Sequence, residues 1–155
     1  MAAKPIPEGY EGLIPSLIVD GAEEAIDFYK RAFGARERMR MPMPDGGIAH
    51  AELEIGNAVL MLADPFPQAT LKTPKELGGT TMAVFLYVED VDATVQQAVD
   101  AGATVTMPPE DQFWGDRYGK VTDPFGHEWE IATHVEDVAP EEMEERARAA
   151  MASTG

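Results

Sequence analysis

A histidine and a glutamate separated by one residue are the side chains of this sequence best suited to acid–base chemistry. His50 and Glu52 lie between Ile48 and Ile55, where polar and apolar residues alternate, so both project from one face of a predicted strand. An imidazole beside a carboxylate can transfer protons near neutral pH or ligate a divalent metal ion. We predict both as candidate catalytic residues and His50 as a candidate metal ligand. The alternative is a solvated polar face.

A loop between two predicted strands combines two aromatic rings with a guanidinium. It reads Gln112-Phe-Trp-Gly-Asp-Arg117. Phe113 and Trp114 could stack on a flat ligand, and Arg117 could form a forked pair with a carboxylate or phosphonate. In the other interpretation, Asp116 and Arg117 fix the loop internally and the rings cover the core. Because loops at the rim of a site commonly carry recognition, Phe113, Trp114 and Arg117 are candidate ligand-binding residues.

Several kinds of catalytic site are missing from the sequence. It contains no cysteine, which excludes thiolate metal sites and cysteine nucleophiles. It has no Gly-x-Ser-x-Gly elbow, no nucleotide-binding glycine motif and no His-Glu-x-x-His motif. His127 follows a turn glycine and His134 lies where the last predicted strand ends, so both are predicted to be structural. The sequence therefore predicts no cofactor and leaves only a divalent metal ion open.

The elements that must position these residues occur twice. The segment from Ile14 to Ala35 is echoed about 68 residues later by the segment from Ala83 to Ala103, and each copy is followed by three strand-like stretches. A unit repeated at a fixed spacing buries its apolar face by packing against its neighbour. The repeat therefore predicts two modules, each built as strand, helix and three strands.

The predicted elements fit one domain covering residues 1–155. Module one spans about 12–64, a linker about 65–80, module two about 81–134 and a C-terminal helix about 140–151. Apolar stripes closed by Gly34 and Gly102 predict helices over 22–33 and 91–101. The predicted strands are 13–19, 36–41, 48–55, 58–63, 82–88, 104–107, 116–123 and 128–133, with a loop at 108–115.

Composition and charge narrow the class of protein and its partners. With 155 residues and 45% hydrophobic content, the chain can bury the core of one domain. Its formal charge of −16 repels phosphate backbones and anionic lipid surfaces, so we predict neither a nucleic-acid nor a membrane partner. The longest apolar run, Met82 to Val88, is far shorter than the roughly 20 residues of a membrane span. These features predict a cytoplasmic protein.

Three features together resemble the vicinal oxygen chelate superfamily. They are the duplicated unit, the helix ending Phe28-Tyr29-x-x-x-Phe33-Gly34-Ala35 and the closing Asp123-Pro-Phe-Gly-His-x-Trp-x-Ile131. The superfamily includes glyoxalase I, extradiol dioxygenases, fosfomycin-inactivating enzymes and bleomycin-sequestering proteins. Within it the chain looks most like the PhnB-like group of glyoxalase/bleomycin resistance proteins, because of its ending Trp129-x-Ile-Ala-Thr-His134-Val-Glu-Asp-Val-x-Pro-Glu-Glu-Met143.

The resemblance implies an α+β fold and a ligand-holding cup. In this family two βαβββ modules each form a curved four-stranded sheet with a helix on its convex face, and the concave faces make the cup. Here a C-terminal helix is added. A homodimer is also implied, and the linker is long enough for modules to be exchanged between chains.

The resemblance also assigns four positions to metal ligands. Metal-using members carry one ligand on the first and one on the last strand of each module, which here correspond to Ile14, Met61, Ala83 and Glu130. Only Glu130 offers an oxygen atom, so it is the candidate metal ligand and a candidate catalytic residue. We therefore predict that the protein lacks the usual four-ligand metal site.

Strand alternation adds further residues to the implied cup. If Glu130 faces the cup, then Trp129 and Ile131 face the helix. The first strand of each module would direct other side chains to the cup, and the thioether of a methionine adds adaptable lining. The candidate ligand-binding residues on strands are Ser16, Met61, Phe85 and Tyr87.

Two functions from different classes follow, and the sequence leaves enzyme and binding protein open. The favoured one is a glyoxalase/bleomycin-resistance-like protein that binds a small organic ligand in the cup without the usual metal site. The alternative is a metal-dependent lyase, isomerase or dioxygenase acting on a vicinal-oxygen substrate, with Glu130 and His50 or Glu52 at the metal. A third interpretation is that side chains fill the cup and the protein acts only through partners.

Overall fold

The computed structural model describes residues 2–155 and confirms the predicted α+β class. In chain order the elements are β1 (Ser16–Ile18), α1 (Ala22–Phe33), β2 (Arg36–Pro42), β3 (Ile48–Ile55), β4 (Ala58–Ala63), α2 (Pro74–Leu77), β5 (Ala83–Tyr87), α3 (Val91–Ala101), β6 (Thr104–Asp111), β7 (Asp116–Thr122), β8 (Glu128–His134) and α4 (Pro140–Ala152). The strands form two sheets, ordered β1-β4-β3-β2 and β5-β8-β7-β6. In each sheet the first strand pairs in parallel with the last and the other pairs are antiparallel. This is the predicted βαβββ unit, present twice.

The chain divides into two compact units. The first comprises the described residues up to Thr81 together with Pro124–His127, and the second comprises Met82–Asp123 and Glu128–Gly155. The turn between β7 and β8 thus belongs to the first unit, where the Phe125 ring centroid lies 6.2 Å from that of Phe28. In the same turn, Nε2 of His127 lies 2.9 Å from the carbonyl oxygen of Ile18, which is the structural position predicted for it.

The first unit is organised by the apolar stripe of α1. Ile26, Phe28 and Tyr29 are fully buried on the side of α1 that packs against β2 and β3, where Leu53 is buried as well. Gly34 ends the helix in the left-handed conformation at φ 66°, which glycine adopts without steric cost. The predicted bounds of α1 are confirmed.

The second unit has the same plan around α3. Asp90 caps this helix by accepting a hydrogen bond from the backbone N–H of Ala93 at 3.0 Å. The helix packs against β6, β7 and β8. Trp129 and Ile131 are buried, as predicted for the helix side of β8, and Nε1 of Trp129 donates to Asp123 Oδ2 at 3.0 Å.

Three segments differ from the sequence prediction. The first strand, predicted at 13–19, is shorter and forms β1 only at Ser16–Ile18. The predicted loop at 108–115 was wrong in its first half, because β6 continues through Pro108 and Pro109 to Asp111. Proline is tolerated there because β6 is an edge strand, and its pairing with β7 is irregular between Met107 and Glu110. The predicted linker contains the short helix α2, which begins at a capping box formed by Thr73 and Glu76.

The predicted C-terminal helix is present as α4 and is attached by polar contacts. It buries none of its residues. Arg146 donates two hydrogen bonds to Glu136, at 2.9 and 2.7 Å, and one to the carbonyl oxygen of Phe113 at 3.3 Å. In residues 2–155 no helix combines the length and apolar character needed to cross a bilayer.

Candidate functional site

Four aromatic side chains lie together on the face of the second sheet that is opposite α3. The ring centroids of Phe85 and Tyr87 are 4.9 Å apart, those of Phe85 and Tyr118 6.3 Å, and those of Trp114 and Tyr118 5.8 Å. The register explains the grouping, because Tyr87 on β5 and Tyr118 on β7 both pair with Ala132 of β8. We refer to Phe85, Tyr87, Trp114 and Tyr118 as the aromatic face.

Glu130 lies on the same face as these rings. It pairs with Phe85 across β5 and β8, and one of its carboxylate oxygens accepts a hydrogen bond from the Tyr118 hydroxyl at 3.0 Å. Burial, together with this hydrogen bond to a carboxylate, raises the pKa of Tyr118 to about 12. Phe85, Tyr87 and Glu130, which were predicted to share one side, are therefore brought together. Tyr118 was not predicted, although period-two alternation along β7 places it on the face opposite to the buried Val121.

The stability of the protein is expected to fall between pH 10 and about 12 because of Tyr118. Its pKa in the folded protein is about 12, against a usual value of 10, so its contribution is complete below pH 10 and is lost as the pH rises through the folded value. Urea unfolding followed by circular dichroism across this range should show a steeper loss in wild type than in Tyr118→Phe. Equal slopes in the two proteins would contradict the assignment.

A second polar group surrounds Asp116, which is buried at the start of β7. Its carboxylate accepts hydrogen bonds from the Tyr87 hydroxyl at 2.7 Å, from Trp114 Nε1 at 3.1 Å and from His134 Nδ1 at 2.8 Å. Burial alone raises the pKa of Asp116, but the three hydrogen bonds, led by that from His134, outweigh it and leave the pKa below its usual value. Asp116 is therefore held as a carboxylate and fixes three side chains.

His134 extends this group to a cleft. Its Nε2 lies 2.7 Å from Asp137 Oδ1, and the hydrogen bonds to Asp137 and Asp116 raise the pKa of His134. The cleft is shallow and open to solvent, with a volume of about 640 Å³, and it shares Tyr87 with the aromatic face. It is lined by Tyr87, Val88, Glu89, Thr133 and His134. Sequence reasoning assigned His134 a structural position, although period-two alternation from Glu130 already placed it on the same side of β8.

The predicted recognition loop is a tight turn, and its aromatic side chains and its arginine contact different partners. Phe113 packs edge-on against Trp114, with centroids 5.1 Å apart. Arg117 instead forms a bidentate pair with Asp92 of α3, at 2.6 and 3.0 Å, and contacts Asp111 at 3.2 Å. The structure thus fixes Arg117 internally and does not bring it to the aromatic face.

The first unit contains the predicted His50 and Glu52 together. Glu52 is only 8% exposed, so the alternative of a solvated side chain does not hold for it. His50 Nε2 lies 3.0 Å from Glu52 Oε1, and the Tyr10 hydroxyl donates a hydrogen bond to Oε2. The hydrogen bond from Tyr10, supported by that from His50, lowers the pKa of Glu52 against the opposing effect of burial. Tyr10 was not predicted, because it lies in the irregular lead-in 42 residues away.

Two other predicted residues lie beside Glu52 in the first sheet. Ser16 pairs with Met61 across β1 and β4, and Met61 pairs with Glu52 across β3 and β4. The predicted site residues therefore form two groups, one in each unit. Ser16, His50, Glu52 and Met61 belong to the first, and Phe85, Tyr87, Phe113, Trp114 and Glu130 to the second.

The residues at the implied metal positions do not form a four-ligand site. Ile14 and Ala83 offer no donor atom, Met61 offers only a thioether, and the carboxylate of Glu130 accepts the Tyr118 hydroxyl. Throughout residues 2–155, no three histidine, aspartate or glutamate side chains are arranged so that they could hold a metal ion. The donor set therefore does not fit the metal centre that the resemblance implies.

Comparison with known proteins identifies the family. Residues 14–131 match the model of the Glyoxalase/Bleomycin resistance protein/Dioxygenase superfamily. The chain belongs to this superfamily. The match spans both sheets and confirms the resemblance inferred from the repeat and from the ending of β8.

Among its relatives, the uncharacterized protein Mb0911c of Mycobacterium bovis is 49% identical over 146 residues, covering 92% of this chain and 93% of the relative. The crystal structure of TioX from Micromonospora is 29% identical with a TM-score of 0.64, covering 81% of this chain and 99% of TioX. The structure of the Arabidopsis thaliana product At5g48480 is 31% identical with a TM-score of 0.66, and the match covers 79% of this chain and 98% of the Arabidopsis chain. This superfamily member therefore shares its fold with proteins from bacteria and a plant.

Proposed function

We propose that this superfamily member binds a small organic ligand with a planar aromatic portion on the aromatic face of its second unit. The observation that carries the proposal is the pair formed by Phe85 and Tyr87, whose rings lie 4.9 Å apart and remain exposed. Large apolar rings grouped at a surface mark interaction sites, and aromatic faces prefer to stack on other flat groups.

Fixed polar groups support a role in ligand orientation. The hydroxyl of Tyr87 is held by Asp116 and that of Tyr118 by Glu130, at 2.7 and 3.0 Å. These bonds fix the planes of two rings before any ligand arrives, which reduces the entropy lost on binding. A few convergent polar groups beside apolar lining are typical of small-molecule sites.

Tryptophan fluorescence tests the proposal directly. The chain has two tryptophans, of which Trp129 is 1% exposed on the helix side and Trp114 belongs to the aromatic face. We expect planar aromatic compounds to quench Trp114 saturably and Trp114→Phe to remove the response. Phe85→Ala should weaken binding about tenfold, equivalent to about 1.4 kcal/mol, because it removes one stacking surface.

Phe66→Ala is the matched control for Phe85→Ala. Phe66 is 43% exposed and Phe85 is 45% exposed, but Phe66 lies in the segment between β4 and α2 of the first unit. Its replacement should leave the titration unchanged. Equal effects of the two substitutions, or no saturable quenching by any planar compound, would contradict the proposed site.

We propose that binding needs no metal ion, because three of the four implied ligand positions lack a suitable donor. Adding a chelator to the fluorescence titration should then leave the dissociation constant unchanged. A tenfold loss of affinity, restored by a divalent cation and absent in Glu130→Gln, would favour the metal-dependent lyase, isomerase or dioxygenase instead.

We also propose that the protein acts as a cytoplasmic homodimer. Leu13 and Met82 are large apolar side chains exposed at the surfaces of their units, as expected of residues that a second chain covers. Sedimentation at several concentrations should give twice the chain mass of 16.8 kDa.

A further inference from the structure

The two ring nitrogens of His134 contact carboxylates in very different surroundings. Nδ1 contacts Asp116, whose side chain is 4% exposed, whereas Nε2 contacts Asp137, whose side chain is 101% exposed. An ion pair with a fully exposed partner contributes little to stability. The contact at Nδ1 is therefore a fixed part of the fold, and the contact at Nε2 is replaceable.

Asp116 is itself held rigidly. The Tyr87 hydroxyl and Trp114 Nε1 both donate to its Oδ2, and His134 Nδ1 donates to its Oδ1. A buried carboxylate bound to one ring nitrogen keeps a proton there and directs the other nitrogen outward, where it becomes an acceptor once its own proton has left. In this unit the outward nitrogen belongs to a histidine that lines the cleft of about 640 Å³.

The cleft and the aromatic face share Tyr87. A ligand whose ring stacks on Phe85 and Tyr87 can therefore present a ring substituent to His134. The present occupant of that position, Asp137 Oδ1, lies 2.7 Å from Nε2, which shows that the position accepts an anionic oxygen.

We propose that Asp116 and His134 form a proton-transfer pair for a phenolic or enolic ligand, with Asp137 as a cap that the ligand displaces. This inference rests on the proposed function, because the ligand is the one stacked on the aromatic face. When Asp137 withdraws, the Nε2 proton passes to water. The O–H bond of the ligand then breaks, an Nε2–H bond forms, and the electron pair stays on the ligand oxygen. Asp116 balances the charge of the resulting imidazolium.

The surrounding charges favour a neutral acid over a preformed anion. Asp116 approaches His134 from β7, Asp137 from the segment after β8, and Glu89 lines the cleft. The two arginines of α4 are paired with carboxylates, Arg146 with Glu136 and Glu142 and Arg148 with Glu144. With a net charge of −16 as well, a carboxylate ligand would be repelled on approach, whereas a phenol enters uncharged and ionises only at Nε2.

Two probes test the proposal, and they differ only in whether one oxygen carries a proton or a methyl group. p-Nitrophenol changes its absorption spectrum when it ionises, whereas p-nitroanisole cannot ionise. We expect p-nitrophenol bound to the wild-type protein to have a pKa lowered by about one unit, a tenfold change in its ionisation ratio. His134→Asn keeps an amide donor for Asp116 but has no basic nitrogen, so it should abolish the shift and leave binding of p-nitroanisole intact.

Each outcome distinguishes this inference from the proposed function. If both probes bind but the spectrum of p-nitrophenol shows no added ionisation, the proton-transfer pair is overturned and the aromatic site stands. A shift that persists in His134→Asn also overturns the pair. If neither probe binds the wild-type protein, the aromatic site and the proton-transfer pair fail together.

The cap is tested by a pair of charge-neutralising variants that do not alter the core. Asp137→Asn should tighten binding of p-nitrophenol about fivefold, the equivalent of losing one exposed ion pair that competes for Nε2. Glu144→Gln removes the same charge from α4, where Glu144 pairs with Arg148, and should change nothing. Equal tightening by both variants would show a general effect of charge and overturn the cap.

Discussion

Replacing Trp129 with alanine is expected to lower the free energy of unfolding by about 4 kcal/mol. Trp129 is 1% exposed between β8 and α3, so its removal leaves a large cavity and deprives Asp123 of a hydrogen bond of 3.0 Å. That loss is a large share of the total stability of a typical domain. Urea unfolding followed by far-ultraviolet circular dichroism measures the change.

Phe85→Ala is the control for this loss, because it removes an aromatic side chain from the opposite face of the same sheet. Phe85 is paired with Glu130, the residue after Trp129, and its ring is exposed. Its replacement should cost under about 1 kcal/mol of stability while weakening ligand binding. Similar unfolding midpoints for the two variants would contradict the assignment of the core to the α3 side.

Gly115→Ala is expected to destabilise the second unit by about 3 kcal/mol. Gly115 has φ +100°, and a Cβ atom placed there would lie 2.2 Å from the carbonyl oxygen of Glu136. The close approach is fixed, because the backbone N–H groups of Val135 and Glu136 both donate to the Gly115 carbonyl, at 2.9 and 3.0 Å. An alanine must therefore push away the segment that leads to α4.

Gly56→Ala separates this clash from the cost of the backbone conformation. Gly56 also has a positive φ, +60°, but no atom lies within 4 Å of a Cβ built on it. Its replacement should cost about 1 kcal/mol, the penalty of a left-handed alanine alone. If urea unfolding gives the two variants the same stability, the close approach of Gly115 to Glu136 adds nothing to the cost of Gly115→Ala, and this explanation is wrong.

Local patterns in the sequence were sufficient to predict α1, α3 and α4 and the faces of the strands, but not the short helix α2. The bounds of α1 and α3 follow from apolar stripes closed by Gly34 and Gly102, both of which act within a few residues. The grouping of Phe85, Tyr87 and Glu130 follows from period-two alternation on β5 and β8. Family membership follows from the repeat, since the match covers both copies.

The polar groups of the candidate sites depend on pairings that no local pattern contains. Asp116 meets His134 because β7 and β8 pair in one register, and a shift of one residue would turn the two side chains to opposite faces. Tyr10 reaches Glu52 from an irregular segment that lacks any period. The sequence left open whether Arg117 binds a ligand or pairs internally, because its partner Asp92 lies on a helix 25 residues earlier.

The two prolines in β6 limit how the second sheet can grow. Pro108 and Pro109 lie in an edge strand and carry no backbone N–H, so a strand from another chain finds an interrupted row of donors there. The other edge strand, β5, contains no proline. A fibre grows only if each added chain offers one edge and leaves another open. Strand addition to the second sheet at β5 therefore stops after one partner.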